Sequence, residues 1–346
     1  MSARSVLDAL NRDAYHITEV GITKDGRWLS GDHALAAFEH GSLDDLVPVV
    51  LPVEPDDDQL YERRADSLVP ITRIDVVFPI LHGTFGEDGT LQGFLELADL
   101  PYVGAGVLAA AVTMDKGVFK SLMSASRIPV VPGITLNSSE LAGDMDPVLE
   151  KIEALGGYPY FTKPANLGSS VGITKCRSRS DLMEGLLEAA RYDRRVVVER
   201  GVNAREIEVS VMGNDQPEAS IPGEIDPGAD FYTYEAKYLD DTSVLHIPAA
   251  LDEVTALEIR RLAVEAYKAV DGAGFARVDF LLDVDDGQVY LNEINAIPGF
   301  TKISMFPKLW EASGVPYAEL LDRLIAYAFE RVEQKRVLVR SYGDGA

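Results

Sequence analysis

The sequence predicts an α/β protein whose second half turns to antiparallel sheet. Three observations carry this. A β-branched run from Arg73 to Ile80 is followed by helical apolar spacing from Val107 to Ser126 and by a second extended run from Ile128 to Thr135, an alternation that builds α/β layers. Farther on, Phe275 to Asp283 and Gln288 to Asn295 flank Asp286-Gly287, a dipeptide suited to a type I′ hairpin turn. The chain has 346 residues, more than one ordinary core holds at roughly 100 to 200 residues per domain.

Between these signals, Pro222 to Ile247 is rich in Gly, Pro, Asp and Tyr without a clean period, the size and composition of a lid over a site. Tyr317 to Val337 has the spacing of an amphipathic helix. No repeat of about 20 to 50 residues occurs, which removes solenoids and propellers. Gly104-Ala-Gly106-Val-Leu-Ala109 imitates a dinucleotide fingerprint, but no acidic residue ends a second strand about 20 residues later. It reads as a tight strand-to-helix turn. No G-x-x-x-x-G-K-[ST] loop and no H-E-x-x-H pair is present. The run Asp283 to Asp286 has its glycine misplaced for an EF-hand and reads as the hairpin turn.

Composition narrows the chemistry. Fifty-six Asp and Glu against 32 Lys and Arg give a formal net charge of -24, which repels nucleic acid backbones and anionic lipid. A site for a polyphosphate must therefore collect cations and divalent metals locally. Cys176 is the single cysteine, so an intramolecular disulfide and a thiolate metal cluster are excluded and a reducing cytoplasm is expected. No run of about 18 apolar residues occurs, and MSARSVLDALNRD lacks an apolar signal region. No membrane or nucleic-acid partner is expected.

Three motifs carry chemistry. In TKPANLGSSVG, Thr162 to Gly172, a strand ending at Lys163 enters a loop of small residues; backbone N–H groups there can approach phosphate oxygens, with the Ser169 and Ser170 hydroxyls as further donors. A flexible surface turn is the competing reading. In ARVDFLLD and VYLNEINAIPGF, Asp279, Glu293 and Asn295 fall on adjacent hairpin strands, Glu293 and Asn295 on one face. Oxygen ligands without histidine or cysteine suit magnesium that also holds substrate phosphates. Facing carboxylates in a mostly apolar sheet are costly without a cation. In LHGTFGEDG, Leu81 to Gly89, a histidine and glycines follow a strand end, where open α/β sheets place ligands; a glycine-rich turn with a hydrogen-bonded His82 is the alternative.

The ordered series LHGTFGEDGTLQG, MDK, TKPANLGSSVG, EAKYLDD, ARVDFLLD and NEINAIPGFT, from about Ser2 to Val337, resembles the D-alanine:D-alanine ligase family of the ATP-grasp superfamily. The resemblance implies three domains, at 1–104, 105–200 and 201–346, with ATP between two antiparallel sheets and a lid at about 222–247. It implies that Lys116 and Lys163 contact ATP phosphates, that Glu199 and Glu206 read adenine and ribose, and that Ser169, Ser170 and Asn292 complete the ATP site. Asp279, Glu293 and Asn295 would hold two Mg2+ or Mn2+ ions.

By the same resemblance, one D-alanine carboxylate attacks the γ-phosphate and a second D-alanine's amine attacks the acylphosphate. Arg277 and the Gly299 N–H would stabilise the tetrahedral oxyanion, with Ser169 and Tyr238 beside the first substrate. His82 would contact substrate, and Ser304 with the Met305 N–H would hold the second carboxylate. Lys237 and Tyr238 would close over the site against water, Tyr238 accompanying dipeptide rather than D-lactate ester formation. The resemblance also implies a homodimer paired through the first domain. MSARSVLDAL matches the helix after the family's opening strand and glycine loop, so that strand and its glutamate for the first amine are expected to be absent.

Overall fold

The computed structural model describes residues 1–168, 171–226 and 244–338. Ser169, Ser170, Lys237, Tyr238 and the middle of the expected lid lie outside the described residues. From the amino end run α1 (Ser2–Ala9), β1 (Val20–Ile22), β2 (Trp28–Ser30), α2 (Ala34–His40), β3 (Val47–Val50), β4 (Gln59–Arg63) and β5 (Leu68–Arg73). The strands form an antiparallel meander in the order β1-β2-β3-β4-β5. Val49, Leu51 and Leu60 of this sheet pack on Leu95, Ala98, Leu100 and Tyr102, which belong to or follow α3 (Thr90–Leu97).

The strand expected from Arg73 to Ile80 is displaced. The paired strand is Leu68–Arg73, and beyond it only Val77 forms a bridge, parallel to Tyr102. The apolar run over residues 74–80 arises from burial without pairing: Ile74 and Val77 pack on the first core while Val76, Phe78 and Ile80 pack on another. The β-branched composition thus marks a chain threaded between two cores.

The expected helix from Val107 to Ser126 is two, α4 (Val107–Met114) and α5 (Lys116–Ala125). Asp115 breaks them, with φ −87° and ψ 98°, and its carboxylate caps α5 by accepting the Val118 N–H. Then follow β6 (Gly133–Asn137), α6 (Asp146–Glu153), β7 (Tyr160–Pro164), β8 (Thr174–Cys176), α7 (Arg179–Ala189) and β9 (Arg195–Arg200), an antiparallel sheet ordered β6-β9-β7-β8. The extended run expected at Ile128–Thr135 becomes a strand only from Gly133, although Val130 bridges to Leu291. Tyr160, Val196 and Val198 point into a core with Leu149, Ile152, Leu182 and Leu186 of α6 and α7. Strand alternation sends Lys163 and Glu199 to the opposite face.

The last part comprises β10 (Ala204–Met212), β11 (Glu218–Ala219), β12 (Gly223–Asp226), β13 (Val244–His246), α8 (Glu253–Ala269), β14 (Phe275–Asp283), β15 (Val289–Asn295), α9 (Met305–Ala312) and α10 (Tyr317–Arg336). Its sheet runs β13-β12-β10-β14-β15, with β11 beside β10. One face is apolar: Ile207, Val209, Val278, Phe280 and Ile294 meet Ile259 and Ala263 of α8, and also Ala109, Phe119 and Met123 of α4 and α5. Residues 105–128 therefore pack beneath this sheet rather than in the core of β6–β9.

The hairpin strands stand where the pattern predicts. The turn is wider than type I′, since strand ends Asp283 and Val289 enclose residues 284–288 and the Gly287 N–H bonds the Asp283 carbonyl. A bulge also intervenes: Asp279 pairs with Glu293 but Phe280 with Leu291, leaving Asn292 as an extra residue. The expected lid loop begins and ends as strand, Glu224 pairing His246 and Asp226 pairing Val244. The helix expected at Tyr317–Val337 is α10, Tyr317–Arg336. Among the described residues, no helix is long and apolar enough to cross a membrane.

Candidate active site

Two polar faces form the site. On β6–β9, the Glu199 carboxylate, 3% exposed, takes an ion pair from Lys163 at 2.7 Å and from Lys120 at 2.6 Å. Burial pushes this carboxyl upward, but the two ammonium groups outweigh it and hold it at about 2. Burial acts the other way on Lys120 and leaves its ammonium below the ordinary lysine value despite Glu199. Lys120 lies one turn beyond Lys116 on α5. The Lys116 ammonium donates to the Leu167 carbonyl, and its N–H donates to the Ala165 carbonyl at 2.9 Å. A second charged link, Arg195 to Asp115, ties the start of α5 to β9. Gly117, where a Cβ would come within 2.8 Å of the Thr135 hydroxyl, allows that close approach. These contacts set Lys116 beside the loop that follows β7 and Lys120 against Glu199 on β9.

On the second sheet, Glu206, Glu208 and Ser210 alternate with buried Ile207, Val209 and Val211. The antiparallel register sets Glu208 opposite Asp279 and Ser210 opposite Arg277, while Asp279 and Arg277 in turn face Glu293 and Asn295. Arg277 donates two bonds to Asp279, each 2.7 Å, and its Nε lies 3.0 Å from Glu208. Burial lowers the Arg277 pKa, but Asp279 and Glu208 overcome it and raise the guanidinium well above its ordinary value. Asn295 Nδ2 also donates to Asp279, at 2.9 Å. The bulge carries Asn292 to the rim of a recess lined by Glu206, Glu208, Asp279 and Glu293.

Beyond β15, Ser304 precedes α9, where its hydroxyl accepts the Thr301 N–H at 3.1 Å and lies 2.7 Å from the Thr301 hydroxyl. A Cβ on Gly299 would come within 2.7 Å of that Ser304 oxygen. The Met305 side chain is buried against Ile225 and Leu309; Met305 is the first residue of α9, so its N–H is one of those a helix start leaves without an intrahelical acceptor. His82 reaches the same turn, its Nδ1 2.9 Å from the Ile297 carbonyl. The segment leading into β6 is tied to β15, where the Leu291 N–H bonds the Pro129 carbonyl and Val130 bridges Leu291.

Residues 1–105 match the family description D-ala D-ala ligase N-terminus, and residues 122–326 match D-ala D-ala ligase C-terminus. The chain belongs to the D-alanine–D-alanine ligase family. It is 49% identical to the D-alanine–D-alanine ligase of Thermoanaerobacter sp. over 339 residues, covering 97% of this chain and 93% of the relative. With the Heliobacterium modesticaldum ligase it shares 45% over 335 residues, 97% of this chain and 91% of that one. Among solved structures, the D-alanine-D-alanine ligase from Coxiella burnetii superposes with a TM-score of 0.81 at 35% identity, covering 98% and 93% of the two chains. The VanG D-Ala:D-Ser ligase from Enterococcus faecalis superposes with 0.84 at 33%, covering 94% of each. The architecture is thus the ATP-grasp fold of these ligases, and the use of ATP and a divalent metal follows from the family.

The residues fit such a metal. The recess is lined by the carboxylates of Glu206, Glu208, Asp279 and Glu293 with the Asn292 amide beside them, an oxygen-rich donor set without histidine or cysteine that suits a hard divalent cation. Among the described residues no three His, Cys, Asp or Glu side chains form a ready cage; the expected set is two carboxylates and an amide, and both Asp279 oxygens are engaged by Arg277 and Asn295. Sequence reasoning missed Lys120, Glu208 and Glu87. The period-two run Glu206-Ile-Glu208-Val-Ser210 was a readable signal for Glu208, and the four-residue step from Lys116 was one for Lys120. Glu87 lies inside LHGTFGEDG, a segment singled out for His82 and its glycines, but is not itself named there.

Proposed function

We propose that this chain joins two D-alanine molecules with hydrolysis of ATP to ADP and phosphate, through a D-alanyl phosphate, supplying a dipeptide for peptidoglycan precursors. The observation that carries the reading is the register that sets Glu208, Arg277, Asp279, Glu293 and Asn295 beside one another on three adjacent strands, with Arg277 bonded to Asp279 and paired with Glu208, a guanidinium held at the edge of an oxygen-lined recess. Lys116 and Lys163 hold the ATP phosphates, Glu199 and Glu206 the adenine and ribose, with Asn292 beside them. Asp279, Glu293 and Asn295 hold two Mg2+ or Mn2+ ions, which when bound neutralise the transferring phosphoryl group.

Positioning and charge do most of the work in such transfer. Arg277, kept oriented by its two carboxylate partners, and the Gly299 N–H receive the oxyanion formed when the second amine attacks. Ser304 and the Met305 N–H hold the second carboxylate, while His82 contacts substrate. Roles for Ser169, Ser170, Lys237 and Tyr238 rest on the resemblance alone. One sheet lies in each of 1–104, 105–200 and 201–346, which supports three parts, while the packing of residues 105–128 under the last sheet joins that segment to the third part rather than the second. A cytoplasmic location is supported by the lone, buried Cys176, and a homodimer by the family likeness.

The test is phosphate release from ATP on adding D-alanine. It should be D-alanine-dependent and lost in Arg277→Ala, with D-lactate and D-serine as poorer acceptors. ATP binding without such release favours a non-catalytic module; preference for D-serine favours the activity named for the Enterococcus faecalis relative.

A further inference from the structure

The turn 297–300 is gripped from the amino-terminal part of the chain by three side chains. Glu87 Oε1 accepts the Ile297 N–H at 2.8 Å, and Glu87 Oε2 accepts the Gly83 N–H at 2.6 Å. The Ile297 carbonyl can only accept, so the 2.9 Å contact puts a proton on His82 Nδ1. In the neutral ring Nε2 is then an acceptor, served by the Ser2 hydroxyl at 3.1 Å. Ser2 Oγ in turn accepts the Phe300 N–H at 3.4 Å. Glu87 itself is placed by a turn in which Gly83 has φ +80°, steadied by Gln92, whose buried Nε2 donates to the Gly86 carbonyl at 2.7 Å.

The geometry of the next residues gives this grip a consequence. With the Ile297 N–H and carbonyl both held, the peptide planes on either side of Ile297 are set. Pro298 follows, and its ring locks φ near −65°. One torsion, ψ of Pro298, then remains between the held Ile297 carbonyl and the Gly299 N–H. Downstream the turn is closed by the Tyr317 hydroxyl, which donates to the Phe300 carbonyl at 2.6 Å. We infer that Glu87 is a positioning residue for the ligation step: through Ile297 and Pro298 it aims the Gly299 N–H at the developing oxyanion. This deepens the ligase reading above and rests on it.

A neutral amide at Glu87 can accept only one of the two N–H groups and turns its NH2 toward the other. Glu87→Gln should therefore lose one of the two bonds, either the hold on Ile297 or the Gly83 bond that places the side chain, and loosen the grip in both cases while altering volume little. In the full-length chain, D-alanine-dependent phosphate release should fall about 100-fold in kcat, the range typical of a misaimed oxyanion donor. KM for ATP should stay within about twofold, because the ATP lysines are not touched. Pro298→Ala, which frees φ without disturbing Glu87, should reproduce the split and keeps the inference testable if Glu87→Gln folds poorly. Unchanged kcat in either folded variant would overturn the inference, as would equal losses in kcat and ATP affinity together with a lowered melting temperature. Absence of D-alanine-dependent release in the unaltered chain would overturn the ligase reading first, and this inference with it.

Discussion

The Lys120 ammonium and the Glu199 carboxylate lie 2.6 Å apart, their side chains 11% and 3% exposed. The pair joins α5, which helps to fill the core beneath the second sheet, to β9 of the first. It thereby couples the lysine end of the site to the packing of both sheets.

Removing one partner of a buried ion pair typically costs about 3–5 kcal/mol because the other charge is left uncompensated. Lys163 still pairs with Glu199. Lys120→Met should therefore destabilise the fold by about 3 kcal/mol, the low end of that range. Urea unfolding measures it; an unchanged midpoint would show that the pair contributes nothing.

Glu199 titrates far below its ordinary value of 4.5, at about 2. A carboxylate depressed on folding contributes stability in full above the unfolded value and loses it as pH falls through the folded one. Melting temperature should decline between about pH 4.5 and 2 with a slope that Glu199→Gln reduces. An equally steep decline in that variant would assign the acid sensitivity to other groups.

Gly299→Ala should act on the second substrate. The added Cβ comes within 2.7 Å of the Ser304 oxygen and displaces the hydroxyl that holds Thr301. A shift of this size in a binding group costs on the order of 100-fold, so kcat/KM for D-alanine should fall by about that factor while KM for ATP is kept. Equal effects on both substrates would place the damage in the fold.

Glu293→Gln should weaken the metal. Loss of one charged oxygen from the donor set should raise the magnesium concentration for half-maximal phosphate release at least about tenfold. A magnesium titration at saturating ATP and D-alanine gives the result directly; an unshifted curve would remove Glu293 from the ligands.

Much of this protein was set by local sequence. The strand Phe275–Asp283 and the helix starting at Tyr317 stand where their periods place them, because alternation and helical spacing report which side of an element is buried. The hairpin also brought Asp279, Glu293 and Asn295 together, since strand pairing follows from a short connection. Only the tertiary structure decided the rest. The bulge at Asn292 depends on how β15 accommodates its partner. Residues 74–80 read as strand but are squeezed between two cores, because a β-branched apolar run signals burial whether or not a neighbour supplies hydrogen bonds. Lys120 meets Glu199 only when a helix and a strand 79 residues apart are packed together. Glu87 meets Ile297 across 210 residues, a distance over which no period or propensity carries information; the contact exists because packing closes the chain on itself.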